Sequence, residues 1–350
     1  MTCFINIHGR CIGGAHPVYF VAEVSANHNQ DFDHAVRIIE AAKEAGADAV
    51  KLQTYTADTI TISSERECFR IKGGTLWDGR TMYDLYQEAS TPWEWQPRLK
   101  SLCEELGLDL FSSAFDPSAV DFLEDMGVPA HKIASPELVD VPLIQKMART
   151  GKPLILSTGM ATIEEIEEAV MAARNAGATQ LALLRCTSAY PAPPEEMNLR
   201  SIPDLMQRFE VPVGLSDHTP GIAVSVAATA LGASLIEKHL TLSRADGGPD
   251  SAFSLEPLEF KTLVETVRIA EKALGKVQYG PTPREVTMRA YRRSLFVVRH
   301  VKKGEVFTSE NVRSIRPADG LHPRHLTDVI GRHAAGDIER GTPLTWELVG

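Results

Sequence analysis

Five cysteines (Cys3, Cys11, Cys68, Cys103, Cys186) are spread over 350 residues, an odd number with no CxxC pair. That argues against a disulfide framework and a thiolate zinc site, and it fits reduced thiols in a cytoplasm. Positive charge is also short. Lys and Arg number 36 against 46 Asp and Glu, a formal net charge of −10. A partner held by electrostatic attraction to a nucleic-acid backbone is therefore not expected. No apolar run approaches the ~20 residues that a membrane span needs. Nor does a basic stretch lead into an apolar one at the start, so neither a signal peptide nor a membrane association is expected. No GxGxxG follows the first apolar strand, which weakens a dinucleotide-binding open sheet. What is present is 43% hydrophobic and 23% charged, an ordinary globular composition. The length suggests about two domains.

Between residues 18 and 275 short apolar runs alternate with helical stretches. The strands are expected at 18–24, 49–54, 108–115, 131–135, 153–159, 181–188, 211–217 and 234–240. Helices are expected at 33–47, 94–107, 118–127, 138–150, 163–177, 201–209, 221–232 and 257–275, the fifth opened by a capping box of Thr162 and Glu165. Eight strand–helix units in a domain of that length are the count of a (β/α)₈ TIM barrel, with a doubly wound sheet as the alternative. The opening residues, MTCFINIHGRCIGGAH, read as a lead-in strand and loop. Residues 55–93 interrupt the alternation with an aromatic- and Gly-rich insertion that reads as an ordered lid or specificity loop. The domains are then a barrel over 1–275, a Pro/Gly-punctuated linker over 276–290 and a small β-rich domain over 291–350.

In a barrel the chemistry gathers where strands end. These ends are polar throughout: Glu23 with Asn27 and His28, Lys51 with Gln53, Ser112 and Ser113 with Phe115, Lys132 with Ser135 and Glu137, Ser157 and Thr158, Thr187 with Ser188 and Tyr190, Ser216 with Asp217 and His218, Glu237 with Lys238 and His239. A single polar strand end is ordinarily a turn or a helix cap. All eight together point to one shared pocket. His218 and His239, on strands that would be neighbours, can share a divalent metal such as Mn²⁺, Co²⁺, Fe²⁺ or Zn²⁺ in an open site. Asp217 and Glu237 read as supports for that pair or as simple caps. Lys51 and Lys132 end apolar runs, where an ammonium needs an anion or a carbonyl. They fit a phosphate and carboxylate clamp better than the desolvated Schiff-base lysine of an aldolase.

The segments AEVSANHNQ (22–30), KLQTYTAD (51–58), SSAFD (112–116), KIASPE (132–137), STGMAT (157–162), CTSAYP (186–191), GLSDHTPG (214–221), IEKHLTL (236–242) and GPDSAFSLEP (248–257) resemble the sialic acid synthases. The tail, KKGEVFTSENVRSIRPADGLHP, resembles their antifreeze-like (SAF) domain. Within the family, the Ser-Ala-Asn-His form and the insertion GGTLWDGRTMYDLY (73–86) look like the pseudaminate-forming branch. The resemblance implies condensation of phosphoenolpyruvate with an open-chain acetamido sugar and water, releasing phosphate. For that branch the sugar is 2,4-diacetamido-2,4,6-trideoxy-L-altrose, and the neuraminate and legionaminate precursors are the alternatives. It also implies a divalent metal, typically Mn²⁺, with Mg²⁺ or Co²⁺ possible, and a domain-swapped homodimer. Matching motif by motif, His218 and His239 become metal ligands and catalytic groups. Lys51, Lys132, Ser135, Ser157 and Ser216 hold phosphoenolpyruvate, with Gln53 and Phe115 beside it. Glu23 handles the proton at the sugar oxygen, and Glu137 steers water. Tyr190 and Asp250 touch the sugar, and Arg316 of the tail reaches the partner subunit's sugar. Gln30 stands where the family usually has Gly, so a different turn is expected there. Ser188 stands where neuraminate synthases commonly have Asn.

Overall fold

The computed structural model describes residues 4–350, so residues 1–3 of the expected lead-in lie outside the described ones. The chain divides into two compact units, Met1–Gly275 and Lys276–Gly350.

The first unit opens with a small antiparallel hairpin, β1 (Ile5–Ile7) and β2 (Arg10–Ile12). Eight parallel strands follow: β3 (Tyr19–Glu23), β4 (Ala49–Thr54), β5 (Asp109–Ala114), β6 (His131–Ile133), β7 (Leu154–Ser157), β8 (Leu181–Cys186), β9 (Val213–Asp217) and β10 (Leu235–His239). They pair in chain order, and β10 returns to β3, closing the barrel. Phe20, Phe111, Leu52 and Ile133 are wholly buried in its core. Each side chain of that size contributes ~1.5–3 kcal/mol on leaving water.

The helices come between these strands: α1 (Phe32–Glu44), α2 (Ala57–Ile60), α3 (Met82–Ala89), α4 (Gln96–Leu106), α5 (Pro117–Met126), α6 (Val141–Ala148), α7 (Ile163–Asn175), α8 (Ser201–Phe209), α9 (Ala223–Ala230) and α10 (Pro257–Leu274). Thr162 opens α7 through the expected reciprocal bonds with Glu165. One helix is shorter than the sequence suggested. Pro136–Val139 forms a separate 3₁₀ turn, and Asp140 leaves helical backbone angles to cap α6 by accepting from the Leu143 N–H at 3.1 Å. A side chain that bonds its own backbone in this way favours a cap over a helix interior.

The insertion is ordered. It carries α2 and α3, and the Trp93 indole N–H donates to the Tyr55 carbonyl at 3.2 Å. Its GGTLWD stretch folds on itself. The Asp78 carboxylate accepts from the Gly74 and Thr75 N–H groups at 2.8 Å each and from the Thr75 hydroxyl at 2.7 Å. That small loop presents Trp77. Its indole N–H donates to the Pro249 carbonyl at 3.1 Å, and its ring lies 5.6 Å from that of Tyr190.

The second unit pairs β11 (Ser294–Val297) with β12 (Val312–Ile315) antiparallel over a core of Leu295, Val297, Phe307, Val329 and Leu344. Its first residues, expected as a linker, include two short helical turns, Pro283–Val286 and Thr287–Tyr291. No helix among the described residues is long and apolar enough to cross a membrane.

Candidate active site

Side chains alternate in and out along a strand. In β10 this sends Glu237 and His239 inward and Lys238 outward. In register, His239 stands beside Glu23, Glu237 beside Ser216, and Glu23 beside Lys51. The pocket is lined by Glu23, Lys51, Gln53, Ser113, Phe115, Lys132, Ser135, Ser157, Cys186, Tyr190, Ser216, His218, Glu237 and His239, with Ala134 and Pro136. Eleven of the fourteen residues singled out from the sequence are in that set. Three are not. Glu137 lies two residues beyond Ser135 in the 3₁₀ turn, and its Oε2 is buried without a hydrogen-bond partner. Asp250 accepts from the Ala26 N–H at 3.2 Å, away from the lining. Arg316 belongs to the second unit, where it lines a basic hollow of about 810 Å³ with Tyr291, Arg292, Arg293 and His322.

At the centre lies Glu237, expected from the sequence only as a cap or a support. Its carboxylate is 2.9 Å from Lys51 Nζ and 3.1 Å from Lys132 Nζ, and the Ser216 hydroxyl donates to it at 3.2 Å. Lys51 also lies 3.1 Å from Glu23, whose other oxygen accepts from the Gln53 amide at 2.9 Å. The pleat was the signal that could have found Glu237, because it lies two residues before His239 on one strand. Free volume in the cleft is only about 60 Å³, since these paired side chains fill it.

The electrostatics follow from two acids and two lysines out of water. Burial pushes the Glu23 carboxyl up to about 7, against the pull of Lys51. Burial also opposes charge on Glu237, but Lys132 and Lys51 outweigh it and hold that carboxyl far below its ordinary value. Burial lowers Lys132 to about 8. Lys51 is penalised by burial too, yet Glu23 and Glu237 keep it above lysine's ordinary range. Outside this set, burial raises Glu137 to about 7.

Hydroxyls surround the lysines. The Lys51 ammonium donates to Ser113 at 3.3 Å, and Ser135 accepts from the Gly159 N–H at 3.1 Å. Gly159 has to be glycine, because a Cβ there would come within 2.4 Å of Ser188 Oγ and 2.6 Å of Ser135 Oγ. The Ser157 and Ser188 hydroxyls are buried with no partner. Orphaned buried polar groups are costly unless something else satisfies them. Beside two lysines, an anion is the group that would satisfy them.

The two imidazoles are 5.3 Å apart by ring centroid. Nδ1 of His218 faces the Thr187 carbonyl at 3.0 Å, and Nδ1 of His239 faces the Ser25 hydroxyl at 3.0 Å. Burial, then the nearby His218 and Lys51, keeps the His239 ring well below its ordinary pKa and so neutral. With each Nδ1 engaged, each Nε2 remains as a ligand atom. No group of three or more His, Cys, Asp or Glu among the described residues could hold a metal ion. The donor set is therefore an imidazole pair, which fits an open site whose other positions go to water or substrate. Tyr190 stacks 4.4 Å from His218 and 5.1 Å from Phe253, and Trp77 backs it from the insertion. Cys186, read from the sequence only as a sign of a reducing compartment, lines the same pocket, its sulfur 3.9 Å from His218 Nδ1.

At Gln30, where the sequence suggested a different turn, the backbone takes a left-handed φ of 57°, the conformation glycine adopts most easily. The glutamine amide adds what glycine lacks, donating to the Glu88 and Ser90 carbonyls at 2.8 and 2.6 Å and tying the insertion to the barrel.

Known proteins agree with this picture. The chain is 45% identical to a pseudaminic acid synthase of Helicobacter pylori over 330 residues, covering 94% of this chain and 97% of that one. An N,N'-diacetyllegionaminic acid synthase of Legionella pneumophila is 36% identical, with 96% of each chain covered. A crystal structure of N-acetylneuraminic acid synthetase from Leptospira borgpetersenii in complex with citrate superposes with a TM-score of 0.73 at 32% identity, covering 82% of this chain and 95% of that one. The SAF domain model matches residues 292–349, and the NeuB family model matches residues 38–279. The chain belongs to the NeuB family, that of the sialic acid synthases.

Proposed function

We propose that this chain is a pseudaminic acid synthase, condensing phosphoenolpyruvate with 2,4-diacetamido-2,4,6-trideoxy-L-altrose and water to give pseudaminate and phosphate. The observation that carries the reading is the pair of buried lysines with unpartnered serine hydroxyls in the pocket at the C-terminal strand ends of a family barrel. Relatives of that name at 44–45% identity over at least 93% of the chain point to the sugar.

Lys51 and Lys132 take the phosphate and carboxylate of phosphoenolpyruvate, assisted by Ser135, Ser157 and Ser216. Until that anion arrives, Glu237 is its stand-in and keeps both ammonium groups aimed. Carbon 3 of the enol attacks the sugar aldehyde, and the new C–C bond sends the carbonyl electrons to oxygen. Glu23 supplies the proton there, since an acid poised near 7 is matched to neutral pH. Water adds at carbon 2, steered by Glu137, and phosphate leaves by C–O cleavage to give the keto acid. A divalent cation held by His218 and His239, Mn²⁺ by preference, would supply Lewis acidity at the aldehyde. Tyr190 and Asp250 recognise the sugar. The active assembly is a cytoplasmic homodimer in which Arg316 serves the partner subunit's site.

The test is phosphate release from phosphoenolpyruvate with three acceptors: the diacetamido-trideoxy-altrose, the legionaminate precursor and N-acetylmannosamine. Each is run with EDTA and again after Mn²⁺ is restored. Turnover with the first acceptor alone, lost in EDTA and recovered with Mn²⁺, supports the reading. Turnover with another acceptor keeps the mechanism and overturns the sugar. Release indifferent to EDTA overturns the metal.

A further inference from the structure

The two imidazoles of the pocket are oriented by unlike partners. For His218 the partner is a backbone carbonyl, that of Thr187 at 3.0 Å. A carbonyl only accepts, so Nδ1 carries the proton and Nε2 is left with its lone pair. For His239 the partner is the hydroxyl of Ser25, at 3.0 Å. A hydroxyl donates or accepts, so this contact alone does not choose the tautomer. A cation on Nε2 chooses it: that nitrogen must keep its lone pair, so Nδ1 carries the proton and the Ser25 oxygen accepts it.

The backbone supplies a separate observation. Ser25 is wholly buried and sits at φ +45°, where a residue with a Cβ is strained and glycine is not. Strain of this kind collects at functional sites.

The geometry points to Ser25 as the positioning residue of His239: its hydroxyl holds Nδ1 so that Nε2 faces the pocket as a ligand for a divalent cation. The inference rests on the metal-site reading above. Partners of this sort around a ligating histidine typically change metal affinity by ~10–100-fold.

Two variants remove the hydroxyl in opposite backbone settings. Ser25→Gly relieves the left-handed backbone, and Ser25→Ala retains the Cβ. Mn²⁺ affinity is measured on metal-stripped full-length protein, without substrates, by the loss of the free-ion electron paramagnetic resonance signal, beside thermal melting. Both variants are expected to bind Mn²⁺ ~10–100-fold more weakly than the parent. Ser25→Gly should melt no lower than the parent. A role confined to folding would move the melting temperature and leave the affinity alone. His239→Ala is the control that separates the two readings. If it loses Mn²⁺ while either Ser25 variant binds like the parent, the positioning role is wrong and the metal site stands. If His239→Ala binds like the parent, or the parent binds no Mn²⁺, both are wrong.

Discussion

Strands β9 and β10 carry lysine–carboxylate clusters on both faces. Outside the barrel, Lys238 Nζ lies 3.0 Å from Asp217, both side chains fully buried. Every polar atom there is engaged. Asp217 accepts from the Thr219 N–H at 2.9 Å and from the Thr219 and Ser225 hydroxyls at 2.7 and 2.5 Å, while Lys238 donates to the Thr219 carbonyl at 2.6 Å. Inside, Lys51 and Lys132 share Glu237, and the same pocket leaves the Ser157 hydroxyl without a partner. The residue types are alike and the burial is alike. Only completeness differs. A saturated ionic cluster holds two strands to a helix, whereas an unsaturated one has capacity left for a ligand.

Substitutions on the two faces should therefore separate activity from stability. Lys132→Met leaves Glu237 still paired to Lys51. It is expected to cut kcat/KM for phosphoenolpyruvate by at least about 10³-fold, about 4 kcal/mol, with the melting temperature nearly unchanged. Phosphate release and a thermal scan check both halves. Lys238→Met strands a buried Asp217 carboxylate and should lower unfolding stability by about 3–5 kcal/mol, read by denaturant titration. The Mn²⁺ affinity of whatever protein remains folded should be preserved.

A pH dependence sharpens the comparison on a third buried group outside both clusters. Nδ1 of His28 accepts from the Gln30 N–H at 3.1 Å, and its Nε2 meets the Thr91 hydroxyl at 3.1 Å, joining the barrel to the insertion. Burial lowers its pKa from 6.5 to about 4. The unfolded chain then binds the proton more readily, so His28 contributes its stability above about pH 6.5. That contribution falls as pH drops toward 4, by about 3 kcal/mol in all. His28→Gln should flatten the stability curve over this window relative to the parent. The smallest effect is expected at Trp77, which backs Tyr190. Trp77→Ala should raise KM for the sugar about tenfold, about 1.4 kcal/mol, while leaving KM for phosphoenolpyruvate in place. Equal rises in both would mean that the insertion holds the whole site together rather than its acceptor end.

The barrel was legible because its signal is repeated eight times. Short apolar runs and helical stretches agree from residue 18 onward, and an error in one unit is outvoted by the rest. The site was legible to the extent that it is written along strands, as with Lys51, Lys132, His218 and His239. Glu237 is visible in the sequence as a strand-end acid, but nothing adjacent to it in sequence marks it as central. Its importance comes from the pleat, which puts it on the same face as His239, and from two lysines on strands that only barrel closure brings near. The bond from the Ala26 N–H to Asp250 lies in a loop that no periodicity describes. Trp77 was illegible for the same reason. Its position depends on Asp78 capping a Gly-rich turn and on a carbonyl 172 residues away.

Barrel closure also has a consequence in time. Ser25 and His239 meet across 214 residues of chain, because the last strand pairs with the first. A nascent chain that has not yet released β10 from the ribosome already contains Lys51 and Lys132, but it lacks Glu237 to neutralise them. Until the eighth strand arrives, Lys132 lacks its carboxylate partner and the seam between β3 and β9 stays open. Completion of the barrel and creation of the pocket are thus one event, and turnover reports that synthesis has passed residue 239.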